Sequence, residues 1–108
     1  MKRTLLTIDI ILTIIIILFF IFRPGIYTTR GESMEPAIYC GDTVLIVRGN
    51  YSEGDIIAFY WAEYGEKVIH RIYEADEGIY RAWGDNNLFP DNVDITRRDI
   101  YGKMILKW

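Results

Sequence analysis

GDTVLIVRG, residues 41–49, runs five β-branched or aliphatic residues together and closes them at each end with turn residues. Such a run suits a pleated, half-buried surface, and the spacing predicts a strand over 43–48. The same texture recurs downstream. EGDIIAFYWAEYG (53–65) predicts a strand over 56–61, and EKVIHRIYEA (66–75) one over 67–75. GIYRAWG (78–84) predicts a fourth over 79–83, and RDIYGKMILKW (98–108) a fifth over 99–107. A short strand over 26–30 precedes them, and PAIY (36–39) predicts one helical turn, since proline is tolerated at a first helical position. The fold class expected is mainly β.

Working outward, the chain before Pro24–Gly25 has a different character. Residues 5–22 are apolar except for Thr7, Asp9 and Thr13. With Thr4 that is about 19 residues, or roughly 28 Å of helix, close to the thickness of a bilayer's hydrocarbon. A cleaved signal peptide has a shorter apolar run and a small-x-small site after it; here Phe20-Ile21-Phe22-Arg23-Pro24 is bulky, charged and rigid. The reading is an uncleaved anchor over 1–23 and a β-rich domain over 24–108. Lys2 and Arg3 form a tighter cluster beside the span than Arg23 and Arg30 do, which places the N-terminus in the cytoplasm and the domain on the extracytoplasmic or lumenal side.

The formal charge of −3 is unevenly spread. Lys2, Arg3 and Arg23 against Asp9 leave the first 23 residues at about +2 and the remainder at about −5. An acidic domain is a poor partner for nucleic acid. One cysteine, Cys40, and one histidine, His70, exclude an intramolecular disulfide and argue against a zinc site. No metal or cofactor is expected. Cys40 reads as a small buried residue rather than a reactive thiol. Tyr60, Trp61, Tyr64 and Trp83 read either as core or as aromatics at the lipid headgroup level.

Three Gly-Asp pairs punctuate the domain. Gly41-Asp42 and Gly54-Asp55 read as turns, since glycine reaches positive φ and aspartate bonds nearby amides. Gly84-Asp85 opens GDNNLFPD (84–91), a loop crowded with acids and amides. If 67–75 is a strand, Val68, His70 and Ile72 share a face, so His70 points inward. An apolar surround favours the neutral imidazole, which is the form a general base needs. A hairpin from His70 to Gly84 brings Asp85 and Asp91 back toward the ring. Serine at position 33, in GESMEP (31–36), would be the alcohol such a base activates.

SMEP (33–36), GDTVLIV (41–47), GDIIAF (54–59), VIHRI (68–72) and GDNNLFPD (84–91), in this order, closely resemble the successive boxes of type I signal peptidases (peptidase family S26). They look like the ER and archaeal branch, in which histidine stands where most bacterial enzymes have lysine. The resemblance implies a small signal-peptidase/LexA-like β-barrel-type catalytic domain behind one N-terminal transmembrane helix. It implies Ser33 as nucleophile, His70 as general base, Asp91 as the acid that orients the histidine and Asp85 as a supporting acid. Met34 and Pro36 would shape the substrate floor, and the Ser33 amide would serve the oxyanion. The reaction implied is removal of signal peptides from exported preproteins after small residues at the first and third positions before the bond. Its partners would be signal peptides, the lipid bilayer and the secretion translocon.

Two features set this chain apart from that pattern. The family's S-G-S-M has Gly31 and Glu32 in its first two places here, which leaves the second oxyanion donor unidentified. Leu88-Phe89-Pro90 makes the acid loop more apolar than expected, as if to meet lipid or a partner. The first departure also motivates a rival reading, a signal-peptide-binding homologue without catalysis or a partner subunit of a processing complex. A self-cleaving repressor-type protease of the same broad fold would use lysine as its base, and both His70 and the anchor speak against it.

Overall fold

The computed structural model describes residues 2–108. Helix α1, Lys2–Phe22, is apolar on every face beyond Asp9 except at Thr13, and has no buried residue. The hydroxyls of Thr7 and Thr13 donate back to the carbonyls of Arg3 and Asp9, 2.8 Å each, which satisfies those two hydroxyls within the helix. It is long and apolar enough to cross a membrane. Arg23, at a positive φ of 44°, ends it, and Pro24 prevents its continuation. Only Arg23 and Pro24 separate α1 from the first strand. The carbonyl of Phe22 accepts a hydrogen bond from the Arg48 amide at 2.6 Å, which ties the helix end to the β unit.

Seven strands follow: β1 Gly25–Thr28, β2 Thr43–Val47, β3 Ile56–Trp61, β4 Glu66–Asp76, β5 Ile79–Trp83, β6 Ile95–Thr96 and β7 Ile100–Lys107. They form one sheet in the order β1-β2-β7-β3-β4-β5-β6, with every pair antiparallel. The five long strands lie where the sequence pattern puts them, within a residue or two. The pattern misses β6, because two residues carry no alternation. It also starts the last strand one residue early, where Arg97–Asp99 forms a single 3-10 turn closed by Thr96 and Asp99. The turn expected over 36–39 begins earlier, at Ser33, and is closed by the Ile38 amide on the Met34 carbonyl. It cannot extend through Tyr39, whose amide donates to the Asp42 carboxylate instead.

Both faces of the central strands are covered. Ile57 and Phe59 of β3 pack with Ile72, Ala82, Ile95 and Ile100, while Ile56 and Ala58, pointing the other way, pack with Met34, Ile38, Val44 and Ile46. Four consecutive buried residues in β3 follow from this double burial. Each large aliphatic or aromatic side chain so buried is worth roughly 1.5–3 kcal/mol.

Two bulges shape the sheet, between Leu45 and Ile46 against β7, and between Ala58 and Phe59 against the same strand. Beside them β7 passes so close that a Cβ on Gly102 would lie 2.6 Å from the Val47 carbonyl oxygen. The sheet coils until β1 faces the first half of β4. Lys67 of β4 spans that gap, its ammonium 3.9 Å from the ring centre of Tyr27 in β1 and 4.3 Å from that of Tyr101 in β7.

One expectation about side chains fails. Cys40 is exposed, because the Gly41–Asp42 turn lifts it off the sheet. Of the two readings open for the aromatics, exposure removes the core one for Tyr60, Tyr64 and Trp83, while Trp61 packs partly against the apolar cluster.

Candidate active site

Each of the three groups is positioned by a different piece of chain. His70 lies opposite Ile57 in the β3–β4 ladder and shares its inward face with Ile72, as the alternation predicts. Its ring meets Phe59 edge-on, with centroids 6.4 Å apart. β4 and β5 form the hairpin that returns the chain to Gly84. Beyond the loop, the Asp91 amide donates to the Ala82 carbonyl at 3.0 Å and fixes the carboxylate under the ring. Asp91 Oδ2 lies 2.5 Å from His70 Nδ1, and both residues are buried.

Ser33 enters from the opposite side of the gap, on the turn after β1. Its Oγ lies 3.0 Å from His70 Nε2. With the proton on Nδ1 held by Asp91, Nε2 is left as an acceptor for the serine hydroxyl. An alcohol, an imidazole and a buried carboxylate thus form one chain of hydrogen bonds, although 37 and 21 positions separate its neighbours. Such a chain can take a proton from the alcohol as it attacks an acyl carbon.

Asp85 sits elsewhere. Its two oxygens accept from Arg71 Nε at 3.0 Å and Nη2 at 2.8 Å, while Arg71 Nη1 donates to the Gly54 carbonyl at 2.9 Å. The hydrogen bond to Asp85, opposed in part by desolvation and aided by the charge of the same carboxylate, raises the Arg71 pKa above its ordinary value. The guanidinium therefore keeps its charge throughout the working range. Asp85 serves the site through the loop rather than through the ring, and its partner Arg71 was missed in the sequence. So were the two asparagines that follow. The Asn86 amide donates to the Ser33 carbonyl at 2.8 Å, and Asn86 Nδ2 to the Glu32 carbonyl at 3.1 Å. The GDNN string was the available signal, since amides in a tight loop find backbone partners.

Gly84 is needed for closeness, not for φ. A Cβ there would lie 2.6 Å from Asn87 Nδ2 and 2.8 Å from the Ser33 carbonyl oxygen. Met34 is buried, and its sulfur accepts from the Asp85 amide at 3.4 Å, so it joins the serine turn to the acid loop. Pro36 is exposed and does not line the groove beside Ser33, because the turn points it outward.

That groove has a volume of about 680 Å³. Tyr27 to Gly31 form one wall and Glu66 to His70 the other, with Ser33, Met34 and Asn87 at one end. Residues 66–70 of β4 pair with β3 on one side only, because β5 begins its pairing at Arg71. β1 likewise pairs only with β2. Two free strand edges therefore face the groove. Given the sheet order and its antiparallel pairing, β1 and β4 run in the same direction.

A family model described as Peptidase S24-like matches residues 25–105, three-quarters of the chain and the whole of the sheet but the last two residues of β7. The chain belongs to the Peptidase S24-like family. No match was found among curated proteins. In this S24-like domain the serine, histidine and aspartate all lie within the matched residues, and the apolar helix lies before them. A serine peptidase-type fold and the mainly antiparallel β architecture expected from the sequence agree with that membership.

Proposed function

We propose that this S24-like protein is a membrane-anchored serine endopeptidase that removes signal peptides from exported preproteins. The observation that carries the proposal is the Ser33–His70–Asp91 chain of hydrogen bonds at the end of an open groove. Ser33 Oγ attacks the scissile carbonyl and gives its proton to His70 Nε2. The acyl–Ser33 ester forms as the C–N bond breaks, and His70 returns the proton to the departing amine. Water, deprotonated by the same ring, then releases the acid.

A peptide lying extended between the free edges of β1 and β4 would bond to both, and its alternate side chains would point to the groove floor near Met34 and Ile38. That floor favours small residues at the first and third positions before the bond. Helix α1 supports the membrane reading: it anchors the domain with the N-terminus in the cytoplasm, residues 24–108 outside, and the translocon as a neighbour. Lysine chemistry of the repressor type is disfavoured, because Lys67, the lysine that lines the groove, is held against two tyrosine rings while His70 holds the serine.

The test is cleavage of a preprotein with alanine at both recognised positions, by the full chain in detergent or liposomes. Wild-type protein should cleave it, and Ser33→Ala should not. Cleavage that survives Ser33→Ala removes the serine reading. The rival reading, a binding homologue or partner subunit, predicts preprotein binding without turnover and no labelling of Ser33 by an acylating inhibitor.

A further inference from the structure

Attack on a peptide bond leaves a full negative charge on the former carbonyl oxygen, and fixed N–H donors must receive it. The Ser33 amide is one: among the described residues no carbonyl accepts from it. Position 31 supplies no side-chain donor, since it is glycine. Building on the peptidase reading above, we propose that the side-chain amide of Asn87 is the second oxyanion donor.

Asn87 lines the groove at the end where Ser33 and His70 meet. Its Nδ2 and the Ser33 carbonyl oxygen lie within 2.8 Å of the same point, above Gly84. Its main chain is held from both sides: its amide donates to the Gly84 carbonyl at 2.9 Å, and its carbonyl accepts from Trp83 Nε1 at 2.9 Å. The neighbouring Asn86 fastens the same loop to the Ser33 and Glu32 carbonyls. No side-chain hydrogen bond occupies the Asn87 amide, whereas Asn86 spends its own on Glu32. A donor with a fixed backbone, an N–H that no hydrogen bond occupies and a place in the groove beside the nucleophile is the kind of group that receives an oxyanion. As Oγ bonds to the acyl carbon, the carbonyl π pair moves onto oxygen. That oxygen accepts from Ser33 N and Asn87 Nδ2 until the pair returns and the C–N bond breaks.

The experiment compares kcat and KM for the same preprotein, with wild type, Asn87→Ala, Asn87→Asp and Asn92→Ala, an exposed amide further along the loop. A peptide aldehyde, whose hemiacetal with Ser33 carries the same oxygen, is titrated in parallel. Asn87→Ala should lose roughly 100-fold in kcat with KM within about twofold, and aldehyde affinity should fall with it. Asn87→Asp, an acceptor in place of a donor, should lose at least as much, and Asn92→Ala nothing. An Asn87→Ala protein with kcat within about threefold of an active wild type overturns this inference alone. So does a loss confined to KM with aldehyde affinity unchanged. A wild type that turns over no preprotein overturns the peptidase reading, and this inference with it.

Discussion

On the peptidase reading, Ser33, His70 and Asp91 act as a unit because Asp91, against Nδ1, holds the proton there and leaves Nε2 to the serine. Asp91→Asn keeps the shape but offers an amide that can present a donor to Nδ1, which turns Nε2 into the wrong partner for Ser33. On the peptidase reading it should lower kcat by roughly 10³–10⁴-fold with little change in unfolding temperature, read from steady-state kinetics and thermal melts. Cys40→Ala should change neither, since the thiol is exposed and outside the groove. At this scale the site was legible in part. Alternation alone put His70 on an inward face, and resemblance to signal peptidases supplied its two partners. The roles of Arg71 and Asn86 were not legible. Their bonds run to a carboxylate 14 positions away and to a carbonyl 54 positions away, distances that local periodicity does not report.

Among the elements, the acid loop and the β7 crossing carry the most constraint. Arg71 clasps Asp85 with two hydrogen bonds and reaches Gly54 with a third, so it steadies the loop that holds the Ser33 turn. Because the guanidinium pKa is raised in the folded state, its contribution is complete below the unfolded value and is lost only as pH rises through the folded one. Within the working range the clasp should not loosen on the guanidinium side. Arg71→Ala should therefore lower kcat at every working pH without shifting the shape of the pH profile, and Arg71→Lys, which cannot form the paired contact, should recover only part of the loss.

Gly102→Ala tests the β7 crossing. The new Cβ would meet the Val47 backbone, which cannot swing aside, so overpacking should cost about 1–3 kcal/mol, visible in a denaturant titration. The Gly-Asp pairs show why strands were legible here and the loop less so. Gly41 and Gly54 take φ of 93°, and Asp42 and Asp55 each accept from an amide three residues back, as turn chemistry requires. Gly84 obeys no local rule. It is glycine because Ser33 and Asn87 crowd it, and only the folded chain reveals that.

For the whole molecule, pairing order was the part the sequence withheld. β7 inserts between β2 and β3, and nothing in residues 100–107 says which neighbours they will have. Long-range pairs also explain why β6 went unseen, since its two residues are a strand only because Ile79 and Tyr80 are there to meet them. The molecule is 62 Å long against 33 and 24 Å across. A helix of α1's length accounts for roughly 30 Å of that, and it shares no buried side chain with the domain. Removing residues 1–22 should therefore leave a folded domain, tested by its circular dichroism and cooperative melt. On the proposed reading it should still cleave a soluble peptide while losing liposome association and most processing of membrane-held preproteins.

The junction after Phe22 sets one more condition. Two residues and the Arg48–Phe22 bond leave almost no slack between α1 and β1. A stalk this short works as a gauge. If α1 is seated in lipid and Ser33 is the nucleophile proposed, the blade hovers at one fixed altitude, and a substrate must lower its own bond to that level. On the proposed reading, a flexible spacer set between Arg23 and Pro24 would blur the gauge and scatter the cut positions along a long preprotein, while the chemistry of each cut stayed the same.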